Sequence, residues 1–229
     1  MDLKSTPASW SERLTALDSC ACSDAMDGLG LRGVADGLRP LTIQRKVTGP
    51  VLTVELGPVG RAAAGSGRHL GTAAIEAALP GDVIVVAAGG RVDAAGWGGV
   101  LSLAAVTQRV NGVIVDGACR DVDESVALCL PVYARAAVPA TARGRHAEVA
   151  WNTPVEVAGV HVDPGDLVIA DGSGVVFLPA GRVAEIITAA EGIMAREAEL
   201  AARIRAGEPV SRVMSADYEH MLNTGGLDS

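Results

Sequence analysis

Two junctions in this 229-residue chain carry the residues that are best suited to chemistry. At one of them, Arg120 and Asp121 follow residues 112–115, an apolar run that is typical of a buried strand. A guanidinium group can hold a carboxylate through paired hydrogen bonds, and an aspartate carboxylate can hold a hard cation. The pair therefore predicts a site for an anionic substrate together with a divalent cation.

The other junction is a glycine-rich turn. Residues 95–101 read Ala-Gly-Trp-Gly-Gly-Val-Leu, and a helix pattern begins at Gly98. The free N–H groups and the positive dipole end of a helix N-terminus favour a bound anion such as a carboxylate. Because ligands of open parallel sheets bind beyond the carboxyl ends of the strands, we expect both junctions to line one pocket.

Both junctions also admit purely structural interpretations. The glycines are compatible with a tight turn in which close packing is needed. Asp121 lies three residues before Glu124, which is the spacing of a helix cap, and Arg120 is compatible with a solvated surface charge. Taken one junction at a time, the sequence leaves these alternatives open.

The elements that position the junctions alternate between strand and helix patterns. Predicted strands cover residues 47–54, 82–86, 112–116, 131–135, 155–157, 160–162 and 167–178, and predicted helices cover residues 9–18, 23–29, 70–79, 98–110, 121–129 and 182–206. The alternation is typical of a parallel α/β core, and turn residues at 163–166 and 171–174 indicate short antiparallel strands. Pro50 predicts an edge or a bulge. With no linker-like stretch, residues 1–229 are expected to form a single domain.

Composition narrows the function classes. The chain has 19 Lys and Arg against 27 Asp and Glu, and this net charge of −8 argues against direct nucleic-acid binding. Its apolar runs fall far short of the roughly 20 residues of a membrane span, and no apolar signal segment follows Met1. We therefore expect a soluble, cytoplasmic protein without a membrane partner. The four cysteines, at positions 20, 22, 119 and 129, are expected to be small buried hydrophobes.

The four histidines receive different interpretations. His146 and His220 lie in stretches without a regular pattern, so a surface position is expected for both. His161 alternates with valines and is expected on a strand face. His69 precedes a predicted helix and is kept as a weak site candidate.

Several motifs together resemble the RraA-like family. They read Gly-Asp-Val-Ile-Val-Val at 81–86, Gly-Trp-Gly-Gly at 96–99, Gly-Val-Ile-Val-Asp-Gly-Ala at 112–118, Arg-Asp-Val-Asp-Glu at 120–124, Pro-Val-Tyr-Ala-Arg at 131–135 and Val-Asp-Pro-Gly-Asp-Leu-Val at 162–168. That family contains the class II 4-hydroxy-4-methyl-2-oxoglutarate aldolases and the regulators of ribonuclease activity, some of them mislabelled demethylmenaquinone methyltransferases. The similarity covers most of the chain.

The resemblance implies a swivelling β/β/α domain with a mostly parallel core sheet and a C-terminal helix. It also implies a homotrimer or hexamer with sites between subunits, and Mg²⁺ or Mn²⁺ rather than a nucleotide cofactor. The implied substrate is a small 2-oxo acid.

Site residues are implied position by position. Asp121 matches the metal-ligating aspartate, and Arg120 matches the arginine that holds the substrate carboxylate and keto oxygen. The carboxylate-binding turn corresponds to Gly98, Gly99, Val100 and Leu101. Glu197 matches, loosely, a glutamate that reaches the metal-bound waters of a neighbouring subunit.

One position departs from the family pattern. The aldolases, and many of the ribonuclease regulators, carry an aspartate 21 positions before the arginine, and this chain has Gly99 there. The missing carboxylate would help to hold metal-bound water and to carry a proton during C–C cleavage. The residues that bind a pyruvate-type ligand are therefore better preserved than those that carry out aldol cleavage.

These residues bear on three candidate functions. The leading hypothesis is a metal-dependent lyase that forms a pyruvate enolate, by aldol cleavage or by decarboxylation of an oxaloacetate-like substrate. The alternative is a regulatory or binding protein of the same architecture without turnover. Methyl transfer from S-adenosylmethionine is disfavoured, because no Gly-x-Gly-x-Gly turn follows an early strand.

The glycine at position 99 predicts that decarboxylation is faster than aldol cleavage. Aldol cleavage of 4-hydroxy-4-methyl-2-oxoglutarate requires removal of a hydroxyl proton, and loss of a positioned acid–base group costs about 10²- to 10⁴-fold in rate. Decarboxylation requires no such base, so we expect oxaloacetate to be turned over faster than the aldol substrate. Steady-state rates on both substrates test this, and comparable rates would contradict it.

Overall fold

The computed structural model describes residues 7–60 and 70–214, with side chains described from residue 10. Its strands are β1 Val34–Ala35, β2 Arg39–Pro40, β3 Val47–Pro58, β4 Val83–Trp97, β5 Gly112–Cys119, β6 Val132–Ala137, β7 His146–Trp151, β8 Val155–Val157, β9 Val160–Val162, β10 Leu167–Ala170 and β11 Val175–Leu178. Its α-helices are α1 Pro7–Ala16, α2 Ser19–Gly28, α3 Thr72–Ala77, α4 Gly99–Thr107, α5 Val122–Ala127, α6 Val183–Arg205 and α7 Val210–Val213.

Within the described ranges, nine strands form one mixed sheet, in the order β1-β11-β10-β3-β4-β5-β6-β2, and β7 also pairs with β3. Strands β3 to β6 are parallel to one another, whereas β1, β2, β7, β10 and β11 pair in antiparallel fashion. Strands β8 and β9 form a separate antiparallel hairpin. The predicted α/β class, with a mostly parallel core and a C-terminal helix, is confirmed.

Strand β5 occupies the middle of the parallel core and is buried along its whole length. Side chains of a strand alternate between the two faces of the sheet, so both faces of β5 must be covered. On one face Val113 packs in a cluster with Leu101 of α4, and on the other Ile114 packs in a cluster with Phe177 of β11. The continuous apolar run that predicted this strand follows from that double burial.

Two predictions about local structure need correction. Pro50 does not lie on an edge strand, because β3 is flanked by β10 and β4; Pro50 stands opposite Leu167, where the antiparallel pairing with β10 ends. The helix predicted from Ser23 begins at Ser19 instead, where the carboxylate of Asp18 accepts a hydrogen bond of 2.8 Å from the N–H of Ala21.

Strand β7 was not predicted, and it changes the interpretation of one residue. His146, expected at the surface, begins this strand and is only 5% exposed. The cysteine prediction holds for Cys22 and Cys119, which are buried, and is wrong for Cys20 and Cys129, which are exposed. His161 lies on the exposed face of β9, as predicted.

No helix in the described part of the chain is long and apolar enough to span a membrane.

The core can be tested with one matched pair of leucines. Leu178 is fully buried, whereas Leu79 is 68% exposed. Leu178→Ala should lower the free energy of unfolding by about 2 to 5 kcal/mol, because it leaves a cavity in the core. Leu79→Ala should change it by less than about 0.5 kcal/mol. Urea unfolding measures both, and equal losses would contradict the placement of β11 in the core.

Candidate active site

The sheet brings the two predicted junctions together. Trp97, the last residue of β4, stands opposite Cys119, the last residue of the neighbouring parallel strand β5. The N–H of Arg120 donates to the carbonyl oxygen of Trp97 at 3.0 Å, which holds the two strand ends against each other. Helices α4 and α5 both begin directly after this point, so their N-termini lie at the same edge of the sheet.

Asp121 connects the two junctions through its side chain. Its Oδ2 accepts a hydrogen bond of 2.9 Å from the N–H of Gly99 and lies 3.3 Å from the Nε of Arg120. Its backbone is left-handed, with φ 54° and ψ 42°, a conformation that aspartate tolerates better than most residues. The expected helix cap thus forms on the neighbouring helix α4, since the Asp121 side chain makes no capping bond to its own helix α5.

The start of α4 keeps two donors available. The N–H of Gly99 is taken by Asp121, and the N–H of Ser102 donates to the carbonyl oxygen of Gly98 at 3.0 Å. No residue in the described ranges accepts from the N–H groups of Val100 and Leu101. These two groups, at the positive end of the helix dipole, can hold a carboxylate.

Two buried serine hydroxyl groups connect the helices that begin at the site. Ser102 and Ser125, which are 0% and 1% exposed, lie with their Oγ atoms 2.9 Å apart. Ser102 Oγ also accepts from the indole Nε1 of Trp97 at 2.9 Å and lies 3.2 Å from the carbonyl oxygen of Gly98. Ser125 Oγ lies 3.3 Å from the carbonyl oxygen of Asp121. The network joins the first turns of α4 and α5, and sequence reasoning missed it.

Gly99 is small because a neighbour occupies the space of a side chain. A Cβ atom at this position would overlap the Oε2 of Glu124 and would lie 3.2 Å from the Cβ of Asp121. The backbone of Gly99 is not left-handed, and the overlapping atom is the far end of the exposed Glu124 side chain, so a side chain at position 99 requires that Glu124 turn aside. This carboxylate lies beside the position at which the resemblance implies an aspartate, and no sequence signal distinguishes Glu124 from a solvated helix residue.

The junctions open into a cleft of about 270 Å³. Its lining residues are Leu70, Ala95, Gly96, Trp97, Gly98, Gly99, Val100, Leu101, Arg120, Asp121, Thr141, Ala142 and Arg143. The last three of these belong to the loop at residues 138–145, which follows β6. Because β6 is parallel to β5, its carboxyl end lies at the same edge of the sheet, a rule that would have placed this loop at the site.

His146 anchors that loop to β4. Its Nε2 lies 3.2 Å from the carbonyl oxygen of Ala94, and its backbone N–H donates to the carbonyl oxygen of Ala142 at 2.9 Å. The buried Nδ1 has no partner among the described residues. Burial is the largest cause that lowers the pKa of His146 below its usual value, and Arg91 lowers it further, whereas the hydrogen bond with the Ala94 carbonyl and the charge of Asp93 oppose the change. The neutral imidazole, with the proton on Nε2, satisfies this environment.

Comparison with known proteins identifies the family. The family model Aldolase/RraA, described as RraA-like, matches residues 19–177. The chain belongs to the RraA-like family.

Individual RraA-like proteins agree with this assignment. Over 90% of its length, the chain is 28% identical to protein DlpA of Legionella pneumophila, but it spans only 33% of that longer protein. It is 32% identical to a protein of Halalkalibacterium halodurans provisionally named a 4-hydroxy-4-methyl-2-oxoglutarate aldolase, over 88% of this chain and 90% of the relative.

Among solved structures, RraAS2 of Streptomyces coelicolor, titled an unusual member of the RNase ES inhibitor RraA protein family, is 26% identical. Its TM-score is 0.74, with 88% of this chain and 99% of that chain covered.

A divalent cation is compatible with the site. Mg²⁺ usually keeps several waters and is bound through one or two carboxylates together with oxygens of the substrate. Asp121 offers its Oδ1, which has no partner among the described residues, whereas Oδ2 is engaged. No group of three His, Cys, Asp or Glu side chains in residues 7–60 and 70–214 forms a closed metal cage. Asp121 with substrate oxygens therefore fits a hard cation.

One predicted site residue, Glu197, is not part of the described cleft. Glu197 lies on α6, is exposed and does not line the cleft of its own chain. Its contribution to a neighbouring subunit stays a prediction. His69 and His220 lie outside the described residues.

His146 predicts a pH dependence of stability. Its folded pKa is lowered, so below about pH 6.5, the usual value, the unfolded chain takes up a proton that the folded chain refuses. Stability should therefore fall as the pH decreases from 6.5 towards the folded pKa, by at most about 1.4 kcal/mol per pH unit for one proton.

The measurement is urea unfolding between pH 7.5 and pH 5. His146→Gln, which can keep a donor near the Ala94 carbonyl, should flatten the slope. His161→Gln is the control, because the pKa of exposed His161 is raised, chiefly by its hydrogen bond with Glu156, and its effect has the opposite sign. If the free energy of unfolding of His146→Gln depends on pH as steeply as that of the unmodified protein, the pH dependence does not come from His146.

Proposed function

We propose that this chain is a divalent-metal-dependent lyase that cleaves C–C bonds of small 2-oxo acids through an enolate of pyruvate. The observation that carries the proposal is the convergence of Arg120, the free N–H groups of Val100 and Leu101, and Asp121 in one cleft. These groups can bind the carboxylate and the keto oxygen of a 2-oxo acid. They can also stabilise the negative charge that develops on the keto oxygen during the reaction.

The substrate carboxylate fits the N-terminus of α4. The Val100 and Leu101 N–H groups supply two donors, and the Arg120 guanidinium can add a charged one. The Arg120 side chain is 40% exposed and its Nε is close to Asp121, which leaves its terminal nitrogens free of described partners. A planar fork at this place can hold the carboxylate and the keto oxygen of one ligand together.

Asp121 would hold the cation, which supplies charge stabilisation at the keto oxygen when it is bound. Because Oδ2 is fixed by Gly99 and Arg120, the direction of Oδ1 is set before any ligand arrives. The hydroxyl pair of Ser102 and Ser125 would keep this arrangement rigid, since both residues are buried beneath it. Preorganisation of this kind reduces the cost of ligand binding.

Two reactions share the enolate. In decarboxylation, the electron pair of the breaking C–C bond moves into the enolate and CO₂ leaves without a proton. In aldol cleavage, a base must first take the proton of the C4 hydroxyl, and the same bond then breaks to give a carbonyl product. In both cases the enolate is finally protonated at carbon to give pyruvate. Glu124, whose carboxylate lies against Gly99 but does not line the cleft, would have to turn towards the ligand to act as this base.

A regulatory function without turnover is the second candidate. It is supported by the similarity to RraAS2, whose title places it in a family of RNase inhibitors. The acidic net charge of −8 is compatible with a protein partner and argues against direct binding of RNA. We also propose a homotrimer or hexamer, in which a neighbouring subunit would cover the exposed apolar side chains of Val100 and Leu103 beside the cleft.

Pyruvate release from oxaloacetate and from 4-hydroxy-4-methyl-2-oxoglutarate, with Mg²⁺ and then with a chelator, tests the proposal. Asp121→Asn should weaken Mn²⁺ binding by about 10-fold or more while keeping the folded backbone, because asparagine also tolerates a left-handed conformation. Arg120→Lys should weaken oxalate binding, because an ammonium group lacks the planar fork. Absence of turnover on both substrates, together with unchanged Mn²⁺ and oxalate affinities in the two variants, would contradict the proposal.

A further inference from the structure

The two helices that border the cleft begin in the same way. The N-cap residue is Gly98 in α4 and Asp121 in α5. In each helix the residue four positions later is a buried serine, whose N–H donates to the carbonyl oxygen of the N-cap residue, at 3.0 Å from Ser102 and at 3.1 Å from Ser125. The hydroxyl group of each serine lies near the same carbonyl oxygen, at 3.2 Å and 3.3 Å respectively. Each serine therefore holds the N-cap residue of its own helix.

The hydroxyl groups of these serines also contact each other, with their Oγ atoms 2.9 Å apart. Ser102 Oγ accepts from the indole Nε1 of Trp97, and each hydroxyl has a single proton to donate. In one arrangement Ser102 donates to Ser125, which donates to the carbonyl oxygen of Asp121. In the other, Ser125 donates to Ser102, which donates to the carbonyl oxygen of Gly98. Both arrangements connect the first turn of α4 to the first turn of α5.

The serine contact links the two groups on which ligand binding is proposed to depend. The free N–H groups of α4 lie in the turn that Ser102 holds, and the carboxylate proposed for the cation belongs to Asp121, which Ser125 holds. The other link is the hydrogen bond from Gly99 to Asp121, whose side chain is 34% exposed. The serines are 0% and 1% exposed, and a hydrogen bond shielded from water is electrostatically stronger than one in water.

We propose that Ser102 and Ser125 are positioning residues that make a cation and an anion bind cooperatively. They would hold the N-terminus of α4 and the carboxylate of Asp121 at the separation at which one metal–ligand pair reaches both. This inference rests on the proposed function, since it requires a cation on Asp121 and a carboxylate at α4. Neither serine is among the residues that line the cleft, so both act through the helices that they join.

Oxalate and Mn²⁺ are suitable probes, because together they occupy both places. Calorimetric titration measures the oxalate affinity with and without Mn²⁺, corrected for the complex that the two form in solution, and the ratio of these affinities is the coupling. The unmodified protein should bind oxalate more tightly with Mn²⁺ present. Ser125→Ala should reduce the coupling by about 3- to 10-fold, the range for one buried hydrogen bond, and leave the affinity for Mn²⁺ alone within about twofold.

Two control variants separate positioning from a general loss of stability. Ser125→Thr should restore the coupling, because a threonine Oγ1 in a helix can also bond the carbonyl oxygen four residues earlier. Ser19→Ala removes another buried hydroxyl, which is 3% exposed and donates to Asp171 at 2.7 Å outside the cleft. Ser19→Ala should lower the urea midpoint of unfolding and leave the coupling unchanged.

The double variant Ser102→Ala/Ser125→Ala should reduce the coupling little further than Ser125→Ala, because one missing hydroxyl already interrupts the contact. Coupling that is absent from the unmodified protein, unchanged in Ser125→Ala and the double variant, or reduced equally in Ser19→Ala would overturn the role of the serines and leave the proposed function standing. A folded Ser125→Thr protein with coupling as low as that of Ser125→Ala would do the same. Failure of the unmodified protein to bind either probe would overturn both.

Discussion

The hydrogen bond from the Gly99 N–H to the Asp121 carboxylate is the contact on which the rest of the cleft depends. It joins the loops that follow two neighbouring parallel strands, and it turns the first N–H of α4 away from a ligand while leaving the next two available. The left-handed backbone of Asp121 costs on the order of 1 to 3 kcal/mol, and the charged hydrogen bond offsets about as much. Strain and binding geometry are therefore linked in one residue.

The space that a side chain at position 99 would take is occupied by a side chain of the neighbouring helix α5. A side chain there would meet the end of the exposed Glu124 side chain, whose carboxylate reaches the first turn of α4 from the neighbouring helix. An interpretation based on position 99 alone concludes that a carboxylate has been lost. In this chain the space beside position 99 holds the carboxylate of Glu124, a residue of α5.

Much of this site was predictable from the sequence because parallel strands place their carboxyl ends at one edge of a sheet. Arg120, Asp121 and the turn at Gly98 follow buried strands with clear apolar runs, so their proximity could be inferred. The same rule would also have placed the loop after β6, which carries Arg143, at this edge of the sheet. The burial of His146 could not be found in this way, because β7 is half-buried and irregular in composition and the histidine is held by the carbonyl oxygen of Ala94, which is distant in sequence.

A crystal structure of the protein with Mg²⁺ and oxalate tests most directly whether Asp121 and the α4 N-terminus form one binding site. The account predicts that one oxalate carboxylate accepts from the Val100 and Leu101 N–H groups, that Arg120 contacts the same ligand, and that Mg²⁺ lies on the Oδ1 of Asp121. Asp121 should keep its hydrogen bond to Gly99. Oxalate and Mg²⁺ bound elsewhere, for example beside Glu156 and His161 in the cavity near the β8–β9 hairpin, would contradict it.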